Sequence, residues 1–195
     1  MRHVGILGGS FDPIHRGHIA LAQTALNAFG LDSVRLMPCA QQALKARKPT
    51  PAADRCAMLR LAIAGDSRLE LDCRELNRGG ITYTYDTLKE LKQEEPTTQF
   101  WFIIGADSAQ SFPRWYRADE LLDLCNFIVF ERPGCRLKAE GTDPRLLRYR
   151  LDGPLVDVSS TDIRRAVAEK RDFRYAMGVL EERYLEGRSL YKKEV

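Results

Sequence analysis

Two of the chain's three histidines lie close together in the segment GGSFDPIHRGH, residues 8–18. His15 and His18 are three residues apart, so on a helix both imidazoles lie on the same side. Gly8 and Gly9 permit the backbone to approach an anion closely, and Ser10 adds a hydroxyl. A helix that begins here also directs its first amides toward phosphate. The segment therefore predicts a phosphate site built from backbone amides and two histidines.

A second polar segment, VSSTDIRR at residues 158–165, follows another apolar run and opens another predicted helix. Ser159, Ser160 and Thr161 can cap that helix or bind an anion. Arg164, one helical turn later, can bind an anion at the same end of the helix through two N–H groups of its guanidinium. An ordinary helix cap explains this segment equally well when it is considered alone. Its pairing with residues 8–18 favours anion binding.

Other chemistries for residues 8–18 are less consistent with the pattern. Asp12, His15 and His18 form D-x-x-H-x-x-H, which offers metal ligands, but they straddle a turn that contains Pro13 and no further carboxylate or Cys lies nearby to complete a site. We therefore expect no resident metal and only Mg²⁺ delivered with a triphosphate. The G-x-G-x-x-G and G-x-x-x-x-G-K patterns are absent, which argues against a dehydrogenase and a P-loop kinase.

The elements around these segments follow an alternating pattern. Short apolar runs, which are typical of buried strands, alternate with segments of helical periodicity. This alternation predicts a single α/β domain over residues 1–195, with a Rossmann-like, doubly wound parallel sheet and helices on both faces. The predicted strands are residues 4–7, 34–37, 69–71, 100–104, 127–130 and 155–158. The predicted helices are residues 15–30, 50–65 (with Thr50 as N-cap), 84–92, 161–168 and 173–185. The polar stretch 131–150 is expected to be a surface excursion.

The amino-acid composition of the chain limits the kinds of partner that it can bind. Lys and Arg number 30 against 27 Asp and Glu, a balance that disfavours a dedicated nucleic-acid surface. The five cysteines never form Cys-x-x-Cys, which favours reduced thiols in a cytoplasmic protein. No apolar run approaches the roughly 18 residues of a membrane span. We expect a cytoplasmic protein with small-molecule partners, acting as a monomer or a homodimer.

With these residues in view, the chain resembles the nucleotidyltransferase superfamily that carries the HxGH signature, and within it the bacterial nicotinate-nucleotide adenylyltransferase family. The matching segments occur in family order and span nearly the whole chain. They are GGSFDPIHRGH, ITYTYDTL at residues 81–88, FIIGADSAQSFPRWY at 102–116, FERPG at 130–134 and VSSTDIR. The first and last are shared across the superfamily, and the middle three indicate its pyridine-nucleotide branch.

The resemblance implies transfer of the adenylyl group of ATP to nicotinate mononucleotide, which yields nicotinate adenine dinucleotide and pyrophosphate. It implies His18, His15 and Arg164 as the catalytic groups. The implied ATP-binding residues are Gly8, Gly9, Ser10, Phe11, His15, His18, Gly105, Asp107, Arg132, Ser159, Ser160, Thr161, Ile163 and Arg164. The implied acceptor-binding residues are Ser10, Phe11, Cys39, Lys45, Thr82, Tyr83, Thr84 and Trp115.

The segment PCAQQALKARK, residues 38–48, departs from the family pattern. Cys39 stands where members usually have Asn, and Leu44 stands where they have His, whereas Lys45 matches the basic position. Because this loop normally approaches the acceptor, the amide mononucleotide or another phosphorylated acceptor stays open as an alternative. A third hypothesis is a non-catalytic nucleotide-binding module, but the presence of His15 and His18 argues against it.

Overall fold

The computed structural model describes residues 1–42, 49–131, 135–153, 156 and 158–192. The strands are β1 (His3–Gly9), β2 (Ser33–Pro38), β3 (Gln41–Gln42), β4 (Leu69–Leu71), β5 (Ile81–Thr82), β6 (Gln99–Gly105), β7 (Asn126–Glu131) and β8 (Arg150–Asp152). The helices are α1 (Arg16–Phe29), α2 (Ala52–Ile63), α3 (Arg74–Arg78), α4 (Thr84–Glu94), α5 (Ala106–Gln110), α6 (Ala118–Leu124), α7 (Pro144–Leu147), α8 (Ser160–Ala168) and α9 (Val179–Gly187).

Six strands form one parallel sheet in the order β4-β2-β1-β6-β7-β8. The chain first extends the sheet from β1 through β2 to β4, and then crosses to add β6, β7 and β8 on the other side of β1. The strand order thus reverses between β1 and β6, where open α/β sheets bind ligands beyond the carboxyl ends of their strands. The predicted doubly wound parallel sheet is confirmed.

Each face of the sheet carries its own core, and β1 contributes to both. Val4 and Ile6 point into the core that α4, α5, α6 and α7 cover, whereas Leu7 points into the core that α1, α2, α8 and α9 cover. This alternation is the two-residue period of a strand that is buried on both sides. Packing against helices on both faces holds β1 in place, and it thereby fixes the point at which the following loop begins.

Helix α1 lies where the sequence predicts it. It ends at Phe29, and Gly30 follows in the left-handed conformation, with φ 58° and its N–H donating to the Leu26 carbonyl. Glycine adopts this conformation without the steric cost that a Cβ would add. The start of α2 is predicted one residue too early, because Pro51 occupies the N-cap position and the helix begins at Ala52.

Two predicted elements in the last third of the chain are wrong in position. The final strand lies at Arg150–Asp152, where the predicted surface excursion ends, and the described residues Val156 and Val158 of the predicted strand are not in a strand. Among the described residues, β8 pairs only with β7, at the edge of the sheet. Exposed Arg150 and Asp152 flank Leu151, so the strand has no apolar run by which the sequence could identify it. The predicted helix 173–185 is a 3₁₀ turn at Arg174–Ala176 followed by α9, which Gly178 caps.

Candidate active site

Residues 8–15, which we call the glycine loop, join the end of β1 to α1 and form the floor of a cleft at the carboxyl edge of the sheet. At Gly8 a Cβ would lie 3.2 Å from the Cζ atom of Phe102, which leaves little room for any side chain. The Gly9 carbonyl accepts a hydrogen bond from the Cys39 N–H at 2.9 Å, so the ends of β1 and β2 lie side by side. The loop is therefore held close to two neighbouring strand ends.

His15 and His18 lie together at the start of α1. Their rings stack with centroids 3.7 Å apart and planes inclined by 29°, and the Phe11 ring meets His18 edge-on at 5.0 Å. The His15 backbone N–H donates to Nδ1 of His18 at 3.3 Å. Because Nδ1 accepts a hydrogen bond, the proton of a neutral His18 imidazole lies on Nε2, which is then a donor.

The start of α8 packs directly against this loop. Ser159 caps the helix by accepting from the Asp162 N–H at 3.1 Å, and Ser160 Oγ donates to the Pro13 carbonyl at 2.8 Å. The Arg164 guanidinium donates through Nη1 to the Asp12 carbonyl at 2.6 Å and through Nη2 to Thr161 Oγ1 at 3.0 Å. Two segments some 150 residues apart in sequence thus form one polar surface.

This surface lines a cavity of about 630 Å³, which we call the glycine-loop pocket. It contains most of the residues predicted to bind a triphosphate, together with a few apolar side chains. The predicted residues that line it are Gly8, Gly9, Ser10, Phe11, His15, His18, Cys39, Gly105, Asp107, Ser159, Ser160, Thr161 and Arg164. Asp12, Gly17, Phe130 and Val158 are among the others.

A second cavity of about 730 Å³ adjoins the first, and we call it the Trp115 pocket. The two pockets share a floor made of Gly8, Gly9, Cys39, Gly105 and Asp107, so they form one continuous cleft. Four of the residues predicted to bind the acceptor line the Trp115 pocket alone. These are Thr82, Tyr83, Thr84 and Trp115.

Five of the predicted site residues have a different position or lie outside the described residues. Ile163 is only 2% exposed and belongs to the hydrophobic core, so its side chain does not line either pocket. Phe11 lines the glycine-loop pocket but not the Trp115 pocket, and the same holds for Ser10. Lys45 and Arg132 lie outside the described residues.

Neither a metal cluster nor a membrane-spanning helix is found in the described part of the chain. Across residues 1–42, 49–131, 135–153, 156 and 158–192, no three His, Cys, Asp or Glu side chains are grouped to hold a metal ion. Within the same ranges no helix has the length and apolar character needed to cross a membrane.

Comparison with known proteins matches this architecture. The cytidylyltransferase-like family model matches residues 6–166, from β1 into α8, and so includes both polar segments of the cleft. A Herpetosiphon aurantiacus protein named "Probable nicotinate-nucleotide adenylyltransferase" is 37% identical over 98% of this chain and 99% of its own length. A Streptococcus pneumoniae protein of the same name is 42% identical over 97% of this chain and 89% of its own.

The chain belongs to the cytidylyltransferase-like family, in its nicotinate-nucleotide adenylyltransferase branch. It is therefore a nucleotidyltransferase. The fold is also that of a solved structure, Plasmodium falciparum nicotinic acid mononucleotide adenylyltransferase complexed with NaAD. That structure has a TM-score of 0.82 and 24% identity, over 98% of each chain.

Two residues at the site could not be predicted from any pattern in the sequence. Arg55 on α2 is only 1% exposed, and its guanidinium donates to the Ser10 carbonyl at 2.6 Å and to the Thr50 carbonyl at 2.9 Å. Glu75 on α3 lines the Trp115 pocket and accepts from Thr87 Oγ1 at 2.8 Å. Burial raises the pKa of the Glu75 carboxyl above its ordinary value. A lone arginine or glutamate in a helix is usually solvent-exposed, so nothing in the sequence marks these two.

Gly17, between the two histidines, gives a test of the local packing. A Cβ at this position would lie 3.0 Å from His15 Nδ1 and 3.4 Å from Val158 Cγ2, so Gly17→Ala must push on the stacked imidazoles. We expect kcat to fall about tenfold because a small displacement of a positioned group weakens catalysis. The melting temperature should change little, since alanine favours a helix by about 0.5–1 kcal/mol over glycine and offsets the crowding. Steady-state kinetics and thermal unfolding measure both, and an unchanged kcat would contradict this packing effect.

Proposed function

We propose that this protein transfers the adenylyl group of ATP to nicotinate mononucleotide, forming nicotinate adenine dinucleotide and pyrophosphate in NAD biosynthesis. The observation that carries the proposal is the continuous cleft, in which two pockets share the floor of Gly8, Gly9, Cys39, Gly105 and Asp107. A cleft of this form accommodates two nucleotides that meet over the glycine loop. The names of the full-length relatives support the same reaction.

ATP occupies the glycine-loop pocket in this proposal. Its phosphates lie over the loop, where His18 Nε2 donates to an α-phosphate oxygen and His15 lies beside it. Arg164 and the hydroxyls at the start of α8 bind the triphosphate tail, since a guanidinium binds phosphate oxygens with two donors. Asp107, at the shared floor, lies near the ribose.

The chemistry requires positioning rather than a protein base. The second pKa of the acceptor's phosphate monoester is about 6, so near neutral pH one of its oxygens is already a deprotonated nucleophile. That oxygen bonds to the α-phosphorus, the bond from the α-phosphorus to the α,β-bridging oxygen breaks, and pyrophosphate departs with the electron pair. His18, His15 and Arg164 stabilise the negative charge that develops on the phosphoryl oxygens.

Mg²⁺ enters as part of the substrate, MgATP. Magnesium is usually held by substrate phosphates and water with only one or two protein carboxylates, and the glycine-loop pocket offers carboxylates in Asp12 and Asp107. When bound, the ion neutralises part of the triphosphate charge. The positions of the protein donors described above do not depend on it.

The acceptor occupies the Trp115 pocket. The Trp115 indole packs against Phe112 at 5.3 Å and meets Phe102 edge-on at 6.2 Å, so its neighbours hold it in one orientation. A fixed indole offers a flat face to a pyridine ring. Tyr83 and Thr84 lie at the start of α4, whose first backbone amides attract the ring carboxylate.

Product formation from each acceptor tests the proposal directly. The full chain is incubated with MgATP and either nicotinate mononucleotide or nicotinamide mononucleotide, and pyrophosphate and dinucleotide are measured. We expect both products with the nicotinate form. No pyrophosphate from that acceptor would overturn the proposal, and turnover with the amide form alone would favour the alternative acceptor that Cys39 keeps open. The absence of turnover with either acceptor would favour a non-catalytic module.

Replacement of Trp115 tests the acceptor half separately. We expect Trp115→Ala to raise KM for the acceptor about tenfold, because the loss of one aromatic stacking contact is worth about 0.5–1.5 kcal/mol in addition to buried area. KM for ATP should stay nearly unchanged. Trp115→Phe, which keeps an aromatic face, should recover much of the acceptor affinity. An equal rise in both KM values would show that the change is a general structural one.

A further inference from the structure

Two cysteine side chains meet between α2 and the start of α3, outside both pockets. The Sγ atoms of Cys56 and Cys73 lie 3.6 Å apart, and both cysteines are free thiols. Neither residue lines the glycine-loop pocket or the Trp115 pocket. The sulfurs of a disulfide are about 2.05 Å apart, so these two have to approach by roughly 1.5 Å to form one. A small adjustment therefore brings the pair to bonding distance.

The backbone beside each of these thiols is anchored. Next to Cys56, the buried guanidinium of Arg55 donates to the Ser10 carbonyl at 2.6 Å. Next to Cys73, Arg74 pairs with Asp72 at 2.8 Å and with a carboxylate of α4 at 2.9 Å. These charged contacts keep the two thiols side by side in the folded chain.

The two thiols differ in their access to solvent. Cys56 is 6% exposed, whereas Cys73 is half-buried. Burial, followed by the hydrogen bond with Cys73 and the charge of that residue, raises the pKa of Cys56 to about 11. In thiol–disulfide exchange the nucleophile is a thiolate that has to reach the oxidant. Cys73 therefore reacts first, and Cys56 follows.

We propose that Cys56 and Cys73 are a redox-active pair, which a small disulfide such as oxidised glutathione converts into an intramolecular disulfide that slows adenylyl transfer. Formation of this bond is independent of the proposed function. Its effect on turnover rests on the proposed function, since it requires an active adenylyltransferase.

The exchange proceeds in two balanced steps. The Cys73 thiolate attacks one sulfur of the oxidant, a new S–S bond forms, and the oxidant's own S–S bond breaks as its other half leaves with the electron pair. Cys56 then loses its proton, and its thiolate attacks Sγ of Cys73 and displaces the remaining half of the oxidant. The two cysteines give up two electrons and two protons, which the two product thiols carry. Because Cys73 is uncharged in the mixed disulfide, one cause of the raised pKa of Cys56 is removed before the second step.

The new bond joins two elements that support both halves of the cleft. α2 carries Arg55, which binds the Ser10 carbonyl in the glycine loop. α3 carries Glu75, which lines the Trp115 pocket. The approach of the two sulfurs pulls on α2 and on the start of α3, and a displacement of about 1 Å in a positioning element can lower a rate by up to about 100-fold. Oxidation should therefore reduce turnover.

The experiment incubates the reduced full chain with oxidised glutathione. Free thiols are counted, disulfide-linked peptides are identified by mass spectrometry, and kcat/KM for ATP is measured. We expect two of the five thiols to be lost, a linked Cys56–Cys73 peptide, and a fall in kcat/KM of at least about fivefold that dithiothreitol reverses. If all five thiols remain, or if glutathione stays attached to Cys73 without an intramolecular bond, the proposed pair is overturned.

Three cysteine variants assign the effect to this pair. Cys73→Ser lacks the thiol that reacts first, so it should keep its turnover in the oxidant. Cys56→Ala lacks the second thiol, so it should accumulate the glutathione adduct on Cys73. Cys135→Ser is the matched control, because Cys135 is also half-buried. This control should still lose two thiols and should lose turnover as the wild type does.

The possible failures are distinguishable. If the oxidant slows Cys73→Ser as much as the wild type, the inhibition arises at another thiol and the proposed effect on turnover is overturned. A Cys56–Cys73 disulfide that leaves kcat/KM unchanged overturns that effect as well, but not the pair. A reduced wild-type chain without adenylyl transfer overturns the proposed function, and the thiol count and the linked peptide still decide whether the pair forms.

Discussion

Replacement of His18 by alanine is expected to lower kcat about 100-fold or more, equivalent to about 2.7 kcal/mol of transition-state stabilisation. Nδ1 of this residue accepts the His15 backbone N–H at 3.3 Å, which directs the donor Nε2 outward for an α-phosphate oxygen. The charge on that oxygen is greatest in the transition state, so the loss should appear mainly in kcat. KM for ATP should rise only modestly, because the other donors of the loop and α8 remain.

His3 provides a matched control for this prediction. It lies at the start of β1, at the opposite edge of the sheet from the glycine loop, and its Nδ1 accepts from Trp101 Nε1 at 3.2 Å. His3→Ala removes an imidazole of the same kind without changing the cleft, so kcat should be preserved. Initial rates of pyrophosphate release measure both variants, and a His18→Ala enzyme with wild-type turnover would refute the role given to this residue.

The sequence allowed prediction of those parts of the fold that have a local pattern. β1, β2, β6 and β7 are buried on both faces, so each produces an apolar run, and the glycine loop follows the first of these runs. The two polar segments could be assigned to one phosphate site because each combines anion-binding groups with the start of a helix, although the strand predicted before the second segment is absent at its described residues. Their hydrogen bonds, such as Ser160 to Pro13, confirm that they meet.

Features that depend on tertiary context could not be predicted in this way. β8 pairs with β7, but of its three residues only Leu151 packs against the core, so its sequence resembles a loop. Tyr191 near the end of a charged tail carries no sign that it contacts Asp12. Ile163 was assigned to ATP by its position in the motif, but the face of α8 that carries it packs into the core. The direction of a side chain is fixed by its neighbours in space, which a local pattern does not specify.

Arg55 illustrates this limit most strongly and leads to the second large prediction. We expect Arg55→Met, which keeps most of the side-chain volume, to lower the free energy of unfolding by about 3 kcal/mol. The guanidinium is nearly fully buried and satisfies the Ser10 and Thr50 carbonyls, and without it both carbonyls lose a charged donor. Because Ser10 belongs to the glycine loop, kcat/KM for ATP should also fall about tenfold or more.

Denaturant unfolding and steady-state kinetics, with Arg60→Met as the control, test this prediction together. Arg60 lies on the same helix but is exposed, so its replacement should change stability by less than about 0.5 kcal/mol and leave turnover intact. If Arg55→Met lost stability but kept its kcat/KM for ATP, the arginine would support the fold without supporting the loop. Loss of both in Arg55→Met, and of neither in Arg60→Met, would establish that a buried cation beneath Ser10 sets the shape of the phosphate site.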